Sequence, residues 1–324
     1  MAELQDSEDS AKVIDCTLVI PTFNEVARIG RCLSSALDSE LPTSCRWREL
    51  VVLDGASTDG TVEEAKRWAD SGVRPPVTLL VSSHRQGKAS DLGAFHKSLL
   101  STGRNKELVV VCDADVAILP GSLKALLEPL VNDPDLGVAW GVDLPDNCSW
   151  GRWASSFQMV AFAALVRANG SATPIAYGRF FAYRVERLAN FAWQEAKGAD
   201  DAQLSEFVKS QRIPFQTVPT ATVEATPAGN YRDFYLQTYR WFAAQAQFSS
   251  SPEVVNRGPG PIISRKFRSS VRRWAVFGRI AIKHPMWAIS YIAARAVAWG
   301  YHQFRPAIFD DQWRPSGSTK GAPS

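Results

Sequence analysis

The sequence predicts an α/β fold, a mainly parallel and doubly wound sheet flanked by helices, on three observations. Short β-branched runs recur through the first third of the chain. Segments with the period of a helix separate them. Several runs stop at a proline or an aspartate, as buried strands do where an open α/β sheet meets its ligand crevice.

The elements follow in order. Thr17 to Ile20 is a buried strand ended by Pro21. Asn24 and Glu25 then open a helical stretch with Ile29, Leu33 and Leu37 on one stripe. Leu50 to Leu53 is the second strand, stopped by Asp54 and Gly55. Thr58, Asp59 and Gly60 supply a turn and a helix cap before Val62 to Ala69. Val77 to Val81 is the third strand, His84 to Lys88 a loop, and Asp91 to Leu100 a helix. Leu108 to Val111 is the fourth strand, running into Asp113, Ala114 and Asp115. Beyond Pro145 the rhythm changes. Residues 150–168 have helical spacing, Tyr177 to Tyr183 reads as a strand, and Gly198 to Val208 as a helix. Asp233 to Gln247 is a long amphipathic helix.

Composition narrows the class. With 45% hydrophobic and 21% charged residues, the 324-residue chain is an ordinary globular protein. A net charge of +3 is too mild to imply a nucleic-acid partner. The five cysteines are odd in number and contain no CxxC pair, which points to buried reduced thiols and a cytosolic setting. Residues 1–12 are polar, with no apolar core of a secretory signal.

Five acidic residues carry the chemistry. Asp113 and Asp115, one residue apart at a strand end, suit Mg²⁺ or Mn²⁺ completed by phosphate oxygens. Such an ion neutralises charge on a leaving diphosphate. Asp54, at the neighbouring strand end, is placed to accept the imide N–H of a uracil ring. Arg85 and Lys88, around Gly87, offer cations to the diphosphate. Asp200 and Asp201 form a like-charge pair at a helix start, where each raises the other's pKa and Asp201 becomes a general base. None of the four histidines has metal-ligand spacing, and no GxSxG, Walker or GxGxxG motif is present.

From Thr17 to Trp241 these residues resemble the family 2 inverting glycosyltransferases, which have the Rossmann-like GT-A fold. Val19 to Glu25, with Pro21, Thr22 and Glu25, is similar to that family's opening strand and donor loop. Val52 to Thr61 is similar to its Asp-Gly-Ser-Thr-Asp-Gly-Thr stretch, and Arg85 to Ala94 to its Arg-x-Gly-Lys loop. Asp113 to Asp115 resembles its metal motif, and Asp200 to Leu204 the Glu-Asp-x-x-Leu that carries the base. The departures are a single aspartate at Asp54, Asp200 in place of Glu, and Asp91 where alanine is common. Gln237, Arg240 and Trp241 resemble the Gln-x-x-Arg-Trp signature of processive members, where it lines the acceptor mouth near the diphosphate. Those members carry several transmembrane helices. Here Pro285 to Tyr301, interrupted by Arg295, is short for a span, so transfer of a single sugar is expected.

The resemblance implies a UDP-sugar donor and a hydroxyl acceptor. Residues 254–309 contain no Asp or Glu but ten basic residues, interleaved with aromatics, which suits an anionic membrane surface. The alternative is helices packed on the catalytic domain or in a homodimer. The expected organisation is a flexible 1–14, a catalytic domain 15–248 (nucleotide half 15–120, acceptor half 121–248), a linker 249–263, a helical basic extension 264–309, and a disordered 310–324. The expected location is cytoplasmic, peripheral at the inner face of the membrane. Two acceptor classes stay open, a lipid-linked one at the membrane and a soluble natural-product intermediate such as a nucleoside antibiotic. From another class, a sugar nucleotidyltransferase would need a Gly-rich basic N-terminal loop, which Pro21 to Glu25 is not.

Overall fold

The computed structural model describes residues 13–169, 178–193, 200–238 and 274–304. The strands are β1 (Ile14–Thr22), β2 (Cys45–Asp54), β3 (Val77–Val81), β4 (Leu108–Cys112), β5 (Val116–Ile118), β6 (Val138–Pro145), β7 (Phe180–Arg184) and β8 (Phe215–Ala225). Among the described residues they make one sheet in the order β3-β2-β1-β4-β7-β6-β8-β5. Pairings β1–β2, β1–β4, β2–β3 and β6–β8 are parallel, and the three that involve β7 or β5 are antiparallel. The helices are α1 (Ile29–Leu37), α2 (Thr61–Asp70), α3 (Lys88–Ser101), α4 (Ser122–Asn132), α5 (Trp153–Asn169) and α6 (Asp200–Ser210). Helix α7 covers 231–238 and α8 covers 274–283 within the described residues, and α9 is Pro285–Phe304.

The central strands are apolar on both faces because both faces are covered. Leu18 and Ile20 of β1, Leu50 and Val52 of β2, and Leu108 and Val110 of β4 join α1, α2 and α4 in one core. The alternate residues Val19, Val51, Leu53, Val109 and Val111 join α3 and α6 in the other. A third cluster seats Val276 and Ile280 of α8 and Ala288 of α9 on Phe157 and Ala161 of α5.

All four strands expected in the first half are present. Helix α1 opens later than its periodicity predicts, at Ile29, because Asn24 adopts φ +54° and its side-chain oxygen accepts the Thr58 backbone N–H. Elements α4, β5, β6 and β8 go beyond the sequence reading. Pro129 inside α4 and Pro219 inside β8 interrupt their local patterns. The expected strand from Tyr177 is β7, with residue 177 outside the described residues. The five cysteines are free and four are buried. The helix expected to Gln247 is described only to residue 238. Residues 1–12 of the expected N-terminal segment 1–14, the linker, 264–273 and the 310–324 segment also lie outside the described residues, while Ile14 begins β1.

Candidate active site

Parallel register brings the strand ends together. Thr22 stands beside Asp54 and Asp54 beside Val81. The Gly55 N–H donates to Thr22 O at 2.9 Å, and the Ser82 N–H to Asp54 O at 2.8 Å. The loops beyond are laced to each other. The Asn24 N–H donates to Ser57 Oγ and the Glu25 N–H to Thr61 Oγ1, each at 2.8 Å. Asp59 Oδ1 accepts from the Thr61 N–H and hydroxyl, so it helps to start α2 as expected. Asp54 is at the expected strand end, but it is 1% exposed. Its oxygens accept from the Ser57 N–H at 2.8 Å and the Ser57 hydroxyl at 2.5 Å, so the carboxylate shapes the loop itself. Pro21, Thr22 and Glu25 are buried under this crevice. Arg85 lies with its guanidinium 4.2 Å from the centroid of the Phe23 ring, a cation–π contact.

The strongest convergence is around Lys88. Gly87, at φ +93°, lets the chain turn into α3 where an L side chain would be strained, and so sets Lys88 as its first residue. The Lys88 ammonium reaches Asp113 Oδ1 at 2.7 Å, Asp200 Oδ2 at 2.8 Å and the Gly178 carbonyl at 2.7 Å. Burial opposes its charge, but Asp113 and Asp200 outweigh it and raise its pKa above the ordinary lysine value. One cation thus joins the expected metal motif to the expected base pair, which are far apart in sequence.

Burial, helped by Asp115 and Asp200 and opposed by Lys88, lifts the Asp113 carboxyl to about 6. Asp201 is lifted to about 7, first by burial and then by Asp200, with Lys88 opposing. Its Oδ1 accepts the Ala202 N–H at 2.8 Å. Gly178 packs so closely that an added Cβ would meet the Asp201 Cβ at 3.1 Å.

Gly178, Arg179 and Asp143 escaped the sequence reading. Arg179 follows Gly178 and its carbonyl accepts the Asp113 N–H at 2.9 Å. Its guanidinium stands 3.9 Å from Asp115 and 3.8 Å from Asp143. Burial opposes its charge, yet Asp115 and Asp143 raise its pKa. Asp143 itself, buried at the end of β6, has its pKa raised by burial, with Arg179 opposing. The only sequence signal was a charged residue entering the apolar run of β7, and its partners come from other strands.

Among the described residues no group of three or more His, Cys, Asp or Glu side chains is placed to hold a metal ion. The fit therefore rests on the pair. Asp115 Oδ1 is buried without a hydrogen-bond partner, as an oxygen kept for an ion would be. Two carboxylates completed by substrate phosphates are an ordinary Mg²⁺ or Mn²⁺ donor set. Gln237 is half-buried on α7, while Arg240 and Trp241 lie outside the described residues.

A curled, mostly parallel sheet carrying acidic strand ends in one crevice defines a GT-A glycosyltransferase. The model of glycosyl transferase family 2 matches residues 17–191, more than half of the chain, and the protein belongs to that family. The nucleotidyltransferase alternative is thereby set aside. A dodecaprenyl-phosphate galacturonate synthase of Rhizobium johnstonii is 24% identical over 139 residues, 42% of this chain and 39% of that relative. The chain thus matches about two fifths of the curated relative's length. Among solved structures, a mannosyltransferase from Pyrobaculum calidifontis in complex with GDP-Man and Mn²⁺ superposes with a TM-score of 0.57. It is 23% identical, over 88% of this chain and 75% of that one. GalNAc-T7 with UDP, GalNAc and Mn²⁺ gives a TM-score of 0.50 at 14% identity, over 84% and 51% of the two chains.

Proposed function

We propose that the protein transfers one sugar, with inversion, from a UDP-sugar to an acceptor hydroxyl, in a metal-dependent reaction. The observation that carries this reading is the single ammonium of Lys88 bridging Asp113 and Asp200. It supports a reading in which the candidate metal ligand Asp113 and Asp200, the neighbour of the candidate base Asp201, flank the donor's diphosphate and anomeric carbon.

In this reading Asp113 and Asp115 hold a divalent ion, which supplies charge neutralisation for the departing diphosphate. Lys88 and Arg85 add cationic contacts to the same phosphates. Asp54, through the loop it ties to Ser57, shapes the nucleoside end of the crevice with Pro21, Thr22 and Glu25. Asp201 takes the acceptor's proton while the acceptor oxygen forms its bond to the anomeric carbon. The bond from that carbon to the diphosphate oxygen breaks on the opposite face, and UDP leaves with the electron pair. Asp200, Gln237, Arg240 and Trp241 are assigned to the acceptor mouth beside the diphosphate, with Arg240 toward the diphosphate and the Trp241 indole toward the acceptor ring. A lipid-linked acceptor at the inner membrane face is favoured by the galacturonate synthase, whose name specifies a dodecaprenyl phosphate, and by the basic extension.

The test is UDP release from a panel of UDP-sugars with Mn²⁺, followed by analysis of the product. Asp115→Ala should abolish release, and EDTA should do the same to the wild type. Full turnover in EDTA would remove the metal assignment, and a ladder of oligomeric products would overturn single transfer.

A further inference from the structure

Helix α9 presents an outer face with no polar side chain. Every exposed position between Pro285 and Gly300 is apolar. At 3.6 residues per turn these positions fall within an arc of about 160°. Met286, Ile289, Ile292, Val297 and Trp299 are each more than half exposed there. The opposite side of the helix is occupied by its own fold, since Ala288 packs in the cluster with Phe157 and Val276, and the rings of Tyr291 and Phe157 lie 5.2 Å apart. An amphipathic surface helix ordinarily turns charge toward water, and this one turns apolar side chains outward on a scale that marks an interaction site.

Charge decides the occupant. Helix α8, which packs in the same cluster as α9, is basic on its outside, with Arg279 and Lys283 exposed along with Ile282 and Trp274. No acidic residue occurs anywhere in 254–309. A second copy docking face to face would bring two basic α8 surfaces together, whereas an anionic bilayer offers apolar depth under a negative surface. No helix among the described residues is long and apolar enough to cross a membrane, which leaves α9 lying in the membrane plane.

We propose that this face of α9 is a lipid-docking surface, which seats the enzyme on an anionic bilayer by inserting the apolar arc while Arg279 and Lys283 meet the headgroups. The seat connects directly to the acceptor side. The Tyr231 hydroxyl donates to Ser290 Oγ at 3.1 Å, and the Phe234 and Tyr291 rings lie 6.1 Å apart, so α9 braces α7, the helix that carries Gln237. The surface rests on its own geometry and not on the assigned reaction. Vesicle binding needs no substrate, so it can fail while sugar transfer stands, and the reverse.

The experiment is flotation of the full chain with phosphatidylcholine vesicles, with and without phosphatidylglycerol. The wild type should float with the anionic vesicles. Ile289→Glu/Val297→Glu should lower the bound partition by about tenfold or more, because charge placed on the arc opposes insertion. Arg279→Gln/Lys283→Gln should weaken binding severalfold on anionic vesicles and leave binding to neutral ones unchanged. Unchanged UDP release from a UDP-sugar by both variants would show that they are folded. Flotation of the Glu variant equal to wild type would overturn the proposal, as would a wild type that floats with neither vesicle. A stable dimer in light scattering that Ile289→Glu/Val297→Glu splits would assign the face to a second copy instead.

Discussion

Replacing Asp201 by asparagine removes a proton acceptor while nearly preserving shape, and the structure sets the expected size of the effect. Its carboxyl titrates at about 7, from burial first and Asp200 second. A base matched to neutral pH contributes about 10²- to 10⁴-fold, or roughly 3–5 kcal/mol of the barrier. The wild-type kcat/KM should therefore climb about tenfold per pH unit below about pH 7 and level off above it. Asp201→Asn should lose that limb and the rate together, with the donor KM nearly unchanged. In Asp200→Asn the neighbouring anion is gone, so the limb should move to lower pH. Stability should run the other way. A carboxyl raised above its unfolded value of about 3.9 favours folding below that value, and this contribution fades as pH rises to about 7. Asp201→Asn is spared that loss, so its melting temperature should gain on the wild type between about pH 4 and 7 and keep the advantage above. Steady-state profiles and thermal melts read both effects. If Asp201→Asn kept a wild-type limb, or if Asp200→Asn were the inactive variant, the base would be another residue.

Lys88→Met leaves the partly buried Asp113 and Asp200 without their shared cation. It should cost about 3–5 kcal/mol in denaturant unfolding and raise the donor KM. Lys88→Arg should not restore it, since three acceptors converge on one nitrogen and a planar fork cannot meet them. Gly178→Ala should lower kcat while sparing donor KM, because the new methyl would press on Asp201 at 3.1 Å. Crystallographic displacement of Asp201 without loss of rate would refute that reasoning.

The sequence by itself determined the first half of the sheet and the positions of the acidic groups. Strands β1 to β4 are continuous apolar runs because both of their faces are buried, and such runs are legible without a partner. Asp54, Asp113, Asp115 and Asp201 could be named because strand and helix ends are local features. What surrounds those carboxylates was decided only by the tertiary structure. The register of β1 against β2 puts Thr22 beside Asp54, and folding turns Asp54 inward onto Ser57. The antiparallel placement of β7 beside β4 brings Arg179 to Asp113 and Asp115, although no spacing in the chain connects them. Lys88 meets Asp200 for the same reason, since α3 and α6 cover one face of the sheet. Charge could be counted along 254–309, but the apolar arc of α9 became visible only once α5 had taken the helix's other side. Local pattern fixes which residues end a strand. Which charges share a buried volume depends on long-range packing, and that packing sets the pKa of Asp201.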